Sequence, residues 1–170
     1  MAVGESLPKV ALFLDGPNIY RESKEEGEPI EPESLIASSR PFGRLISATV
    51  YLAMKDGVPT EYLARRYNQA GFVVRFVPCT YNSKDIDTSM AVDISEAIYE
   101  LDANILVVAS GDGDFVPAVD LAHKKGKTVV VCAFPASCNR APRARADIFI
   151  SLLDRDPDHA RPPALGVSLK

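Results

Sequence analysis

The chain has 170 residues, 46% hydrophobic and 25% charged, with a formal net charge of -4. That length suits one α/β domain with its own core, and the acidic balance excludes a protein that coats nucleic acid by bulk charge. No apolar run is long enough for a transmembrane helix, and two histidines with three cysteines lacking CxxC spacing suggest neither zinc nor a disulfide framework.

Residues 1–9 read as a loose leader without the basic start and apolar centre of a signal peptide, so a cytoplasmic location is expected. Val10 to Leu14 is an apolar run that ends in Asp15-Gly16-Pro17-Asn18. The run predicts a strand, and Gly-Pro predicts a turn after it. A helix is expected to begin near Ile19 and close at Gly27. Gly27 to Pro32, acidic and carrying two prolines, reads as a surface loop. Arg44 to Met54 is the next predicted strand, 60–70 a helix capped by Gly71, and 72–77 a strand stopped by Pro78.

Asp85 to Leu101 is a helical stretch. At about 100° per residue, Met90, Ala91, Ile94, Ala97, Ile98 and Leu101 fall on one face. Asp87 falls near the middle of that face and Asp93 at its edge. A carboxylate in the stripe that meets the sheet needs a reason. Helix capping would supply one, but Asp85 or Ser83 can cap equally well, so a functional role for Asp87 is favoured. Asp93 either serves the same site or caps the Ser110-Gly111 turn.

Ile105 to Ala109 is a continuous apolar run with three β-branched residues, read as a strand buried on both faces. It ends in Ser110-Gly111-Asp112-Gly113-Asp114. An amphipathic helix follows at 115–125, then a strand at 128–133. Residues 135–146 form a loop or short helix carrying Arg140, Arg143 and Arg145, and a last short strand lies at 147–150. Residues 154–170 read as a mobile tail. Strands alternating with helices predict one mostly parallel, Rossmann-like sheet with helices on both faces. Such sheets bind ligands beyond the C-terminal strand ends.

That sheet would bring Asp15, Asp87, Asp112 and Asp114 to one edge. Four clustered carboxylates repel one another and raise some of their own pKa values. A bound hard cation, Mg²⁺ or Mn²⁺, removes the penalty through oxygen-only ligation. The chemistry this favours is metal-assisted phosphodiester hydrolysis. A phosphatase of the haloacid type needs Asp-x-Asp at the first strand's end, and Pro17 stands where its second acid belongs.

Three blocks, Leu12-Phe13-Leu14-Asp15-Gly16-Pro17-Asn18, Lys84-Asp85-Ile86-Asp87 with Asp93 downstream, and Ser110-Gly111-Asp112-Gly113-Asp114-Phe115, resemble the signature of the NYN domain family. Ala146 to Ile150 also matches its pattern, and the resemblance, strongest to the bacterial LabA-like subgroup, covers about residues 10–153. It implies a PIN-like fold and a Mg²⁺- or Mn²⁺-dependent ribonuclease. Asp15, Asp87, Asp112 and Asp114 would then be metal-site acids, and Asn18 would orient the first acid or a bound phosphate. Lys84, Arg140, Arg143 and Arg145 offer a path for single-stranded RNA by contacting phosphates. Tyr20 and Tyr81 could stack on a base, but packing is the favoured reading for both. The alternative is a catalytically silent RNA- or protein-binding regulatory module of the same fold. The sequence leaves a homo-oligomer open.

Overall fold

The computed structural model describes residues 6–54, 60–78 and 84–153. The expected leader lies outside these residues for 1–5, as does the expected tail from 154 onward. Six strands form one sheet: β1 (Lys9–Asp15), β2 (Arg44–Met54), β3 (Val73–Pro78), β4 (Ile105–Ala109), β5 (Thr128–Ala133) and β6 (Ile148–Ser151). Their order is β3-β2-β1-β4-β5-β6, and every pairing is parallel. The helices are α1 (Gly16–Glu26), α2 (Pro32–Ser39), α3 (Thr60–Ala70), α4 (Lys84–Tyr99), α5 (Val116–Lys124) and α6 (Arg140–Arg145).

The side-chain period of two divides β1 between two cores. Ala11 and Phe13 face Met90, Ile94, Phe115 and Val119, which belong to α4 and α5 and the turn before α5. Val10, Leu12 and Leu14 face Ile19, Leu35, Ile36 and Ala64, from α1, α2 and α3. β4 is buried throughout, as its unbroken apolar run requires. No helix among the described residues is long and apolar enough to cross a membrane.

Three local expectations are corrected. Gly16-Pro17 is the first turn of α1 rather than a turn before it: Asp15 caps the helix by accepting the Asn18 N–H, and Pro17 sits where no donor is needed. Gly16 is required by the close approach of that turn to β2, since an added Cβ would stand 2.6 Å from the Tyr51 carbonyl oxygen. Pro32 ends the surface loop by opening α2, followed by a 3₁₀ turn at Arg40–Phe42. α4 stops at Tyr99, so Leu101 lies beyond it and is exposed.

The sheet topology fixes where a site belongs. β1 lies between β2 and β4, and the strand order reverses there. At such a switch point the connections leave to opposite faces and open a crevice at the C-terminal edge. The register pairs Leu14 with Ala109, so the segments after β1 and β4 emerge side by side.

Candidate active site at the β1–β4 edge

Asp15 is the last residue of β1 and only 4% exposed. Its Oδ1 accepts the Asn18 N–H at 3.0 Å, and its Oδ2 accepts the Ser110 hydroxyl at 3.1 Å. Burial holds its carboxyl above the usual aspartate range, and the nearby Asp112 adds to the effect. The two hydrogen bonds and Arg21 oppose it.

Asn18 joins the two strand ends. Its Oδ1 accepts the Gly111 N–H at 2.9 Å and lies 3.4 Å from Ser110 Oγ. Ser110 Oγ in turn accepts the Asp112 N–H at 3.2 Å, and Asp112 Oδ1 accepts the Asp114 N–H at 3.1 Å. Each loop residue is therefore held by the one before it, and the chain of bonds runs back to Asp15. Asp112 is half-buried and Asp114 exposed.

Asp87 enters from the first turn of α4 and is 9% exposed. It lines a cleft of about 480 Å³ with Asp114, Thr88, Ala91, Val92 and Ser95. Two pairings among the four candidate acids are seen: Asp112 lies near Asp15, and Asp114 shares the cleft with Asp87. Among the described residues no three His, Cys, Asp or Glu side chains lie close enough together to hold one ion. The donor set itself fits a hard divalent cation, because it offers carboxylate oxygen without thiolate or imidazole. A larger cleft of about 510 Å³, lined by Glu61, Arg65, Asn68, Gln69 and Phe76 among others, contains none of these acids.

Both carboxylate oxygens of Asp93 are engaged by residues of the sheet. Its Oδ2 accepts the Tyr51 hydroxyl at 2.6 Å and its Oδ1 accepts Arg75 at 2.9 Å. The Ser110-Gly111 turn, which Asp93 might have capped on the sequence alone, is satisfied by Asp15 and Asn18 instead. Burial, reinforced by the Asp93 charge, pushes the Tyr51 hydroxyl well above its ordinary range. Tyr51→Phe should cost about 1–3 kcal/mol in urea unfolding, because it strips a hydrogen bond from a buried carboxylate.

The basic residues divide as well. Arg145 is ion-paired with Asp120 on α5, and Arg143 lies 4.6 Å over the Phe149 ring. Arg140 is exposed and makes no ion pair among the described residues. The Lys84 side chain and Tyr81 lie outside the described residues. Tyr20 is exposed on α1, with the Lys24 ammonium 4.6 Å over its ring. Two residues escaped the sequence reading. Arg21 is a cation that partly offsets the rise of the Asp15 carboxyl. Glu22 is a buried acid on the same helix, and its place in a run of charged residues gives no sign of burial.

The NYN domain family matches residues 9–153. An uncharacterized protein of Methanocaldococcus jannaschii is 28% identical over 153 residues, covering 87% of this chain and 59% of that protein. The chain therefore spans about three fifths of that relative's length. The low amplitude and bright protein LabA of Synechococcus elongatus is 23% identical over 159 residues, covering 86% of this chain and 84% of LabA. A crystal structure of a Vibrio parahaemolyticus protein of unknown function superposes with a TM-score of 0.77 at 20% identity, covering 91% of this chain and 96% of that one. That likeness bears out the α/β fold with its parallel sheet.

Proposed function

The chain belongs to the NYN domain family, with LabA among its relatives, and from the nuclease-like character of that family we propose that it is a divalent-metal-dependent ribonuclease. The observation that carries the reading is the buried Asp15 beside Asp112 at the switch point of the sheet. Its two hydrogen bonds do not offset the cost of keeping a carboxylate out of water next to another carboxylate. Acids that repel one another also repel a phosphodiester, so a cation must lie between protein and substrate.

Asp15, Asp112, Asp87 and Asp114 would hold Mg²⁺ or Mn²⁺. Once bound, the ion would supply an activated water and stabilise the leaving oxygen of an in-line displacement. The protein's part is to fix the acids: Asn18 and Ser110 hold Asp15 by both oxygens and set the path of the loop that carries Asp112. Asp87 and Asp114 would face the substrate from their shared cleft. Arg140 and Arg21, both exposed, are suited to meeting phosphates of single-stranded RNA.

The second reading, a catalytically silent RNA- or protein-binding module, is favoured by the lack, among the described residues, of any three His, Cys, Asp or Glu side chains placed to hold one ion. One experiment divides the two. Single-stranded RNA incubated with the protein should be cut in Mg²⁺ or Mn²⁺ and survive in EDTA. RNA that is bound in either condition but never cut would establish the silent module. RNA neither bound nor cut would remove the nuclease and RNA-binding readings, leaving protein binding.

A further inference from the structure

Glu22 follows Asn18 by one helical turn, so both side chains leave α1 on the same side. That side faces the loops after β4 and β5. Glu22 is 2% exposed, among the most buried large side chains of the molecule. The Ser137 and Asn18 side chains lie near its carboxylate, and its Oε2 has no hydrogen-bond partner among the described residues. A carboxylate so placed carries a desolvation cost that a leucine would not. Its retention there calls for a role beyond packing.

The geometry around Gly111 supplies one. A Cβ added at Gly111 would stand 2.9 Å from Glu22 Oε1 and 3.1 Å from Cys138 Cα. Gly111 thus has no side chain where the Glu22 carboxylate lies. On its other side the Gly111 N–H reaches Asn18 Oδ1. A side-chain amide can be turned two ways, and its neighbours decide which. With Oδ1 on the Gly111 N–H, the Asn18 NH₂ is the end left for the nearby Glu22 carboxylate, to which it would donate. The reverse turn would set donor against donor at Gly111 and acceptor against acceptor at Glu22.

We propose that Glu22 is a positioning residue that locks the Asn18 amide and, through it, the Ser110-Gly111 turn that carries Asp112 toward Asp15. It touches no reacting atom. It fixes the angle at which two acids from distant parts of the chain meet. Its kinetic consequence rests on the ribonuclease reading; its structural consequence does not.

The test compares Glu22→Leu, which removes the acceptor at similar volume, with Glu22→Gln, which keeps a carbonyl oxygen for Asn18 and Ser137. The first readout is the Asn18 side-chain amide resonance, in a chain with five asparagines and one glutamine, assigned by its loss in Asn18→Ala. The second is RNA cleavage in Mn²⁺. Glu22→Leu should displace the Asn18 resonance and lower kcat roughly 100-fold, the scale of a small misplacement in an active site. Its KM should stay within about twofold, and Glu22→Gln should recover kcat to within about tenfold of the native protein. An undisturbed Asn18 resonance in Glu22→Leu would overturn the proposal. So would Glu22→Gln losing as much activity as Glu22→Leu while the resonance stays put, since charge rather than position would then matter. If Glu22→Leu does not fold, Glu22→Asp, whose shorter side chain draws the carboxylate back from Asn18, takes its place: a displaced Asn18 resonance supports the lock and an undisturbed one refutes it. If the native protein cuts no RNA, the ribonuclease reading fails and the resonance still decides the role of Glu22.

Discussion

Asp15→Asn should slow RNA cleavage by roughly 100-fold or more, the scale of losing one preorganised electrostatic group, and at pH 7 it should melt at a higher temperature than the native protein. The two effects share a cause. Asparagine keeps an oxygen for the Asn18 N–H, and it caps helices as well as aspartate does. What it removes is the charge and the acceptor for the Ser110 hydroxyl, which can turn to Asn18 Oδ1 instead. Burial raises the Asp15 carboxyl above its ordinary value of 3.8 in the folded state. The native protein therefore holds that proton more tightly than the unfolded chain does. Stability falls as pH rises from the unfolded value through the raised folded one, and the full penalty is present above it. Asparagine has no such penalty, so its advantage should be complete at neutral pH and vanish below 3.8. Melting curves from about pH 3 to about pH 8 test the sign. A variant less stable than the native protein at pH 7 would mean that the Asp15 charge is compensated within the fold.

Titration with Mn²⁺ should give saturable heat and raise the melting temperature, with about 2.7 kcal/mol of stabilisation at a hundredfold excess over Kd. Asp112→Asn should weaken binding by roughly 10–100-fold or more, a range seen even for residues that only support a metal's ligands. Asp93→Asn should leave the affinity unchanged, because Tyr51 and Arg75 already occupy both carboxylate oxygens. Asp87→Asn tests the joining of the two pairs. If it weakens binding as Asp112→Asn does, the pairs close on shared metal. If only Asp112→Asn matters, the ion belongs to the β1–β4 pair, and Asp87 and Asp114 serve the cleft.

The strands were legible because each is an apolar run bounded by glycine, proline or acid, and the parallel sheet follows from the helices between them. The candidate acids were legible for a related reason: strand ends at a switch point border the crevice, so Asp15 and Asp112 stand out where hydrophobic sequence stops. α2 was hidden by Pro32, which reads as a loop residue although it also suits the first turn of a helix. Asp93 could not be assigned from its own helix, since Tyr51 and Arg75 come from two strands of the sheet. Arg145 looked available because nothing in its segment shows that Asp120, from α5, lies alongside. Glu22 was the deepest miss. Its neighbours Arg21, Ser23, Lys24, Glu25 and Glu26 read as a solvated face, and only packing against Gly111 shows otherwise.

The pairing of β1 with β4 joins residues far apart in the chain: Asp15 and the Ser110 that holds it are separated by 95 positions. Closing so long a loop costs entropy before any contact rewards it, which slows the step in folding. During synthesis, Asp15 and Asp87 emerge well before Ser110, Asp112 and Asp114. The growing chain therefore carries acids without a site until β4 has left the ribosome and docked. If the chain is the ribonuclease proposed above, this topology would defer a hazard: the nascent chain, still tethered to the ribosome's own RNA, would be inert until β4 is in place.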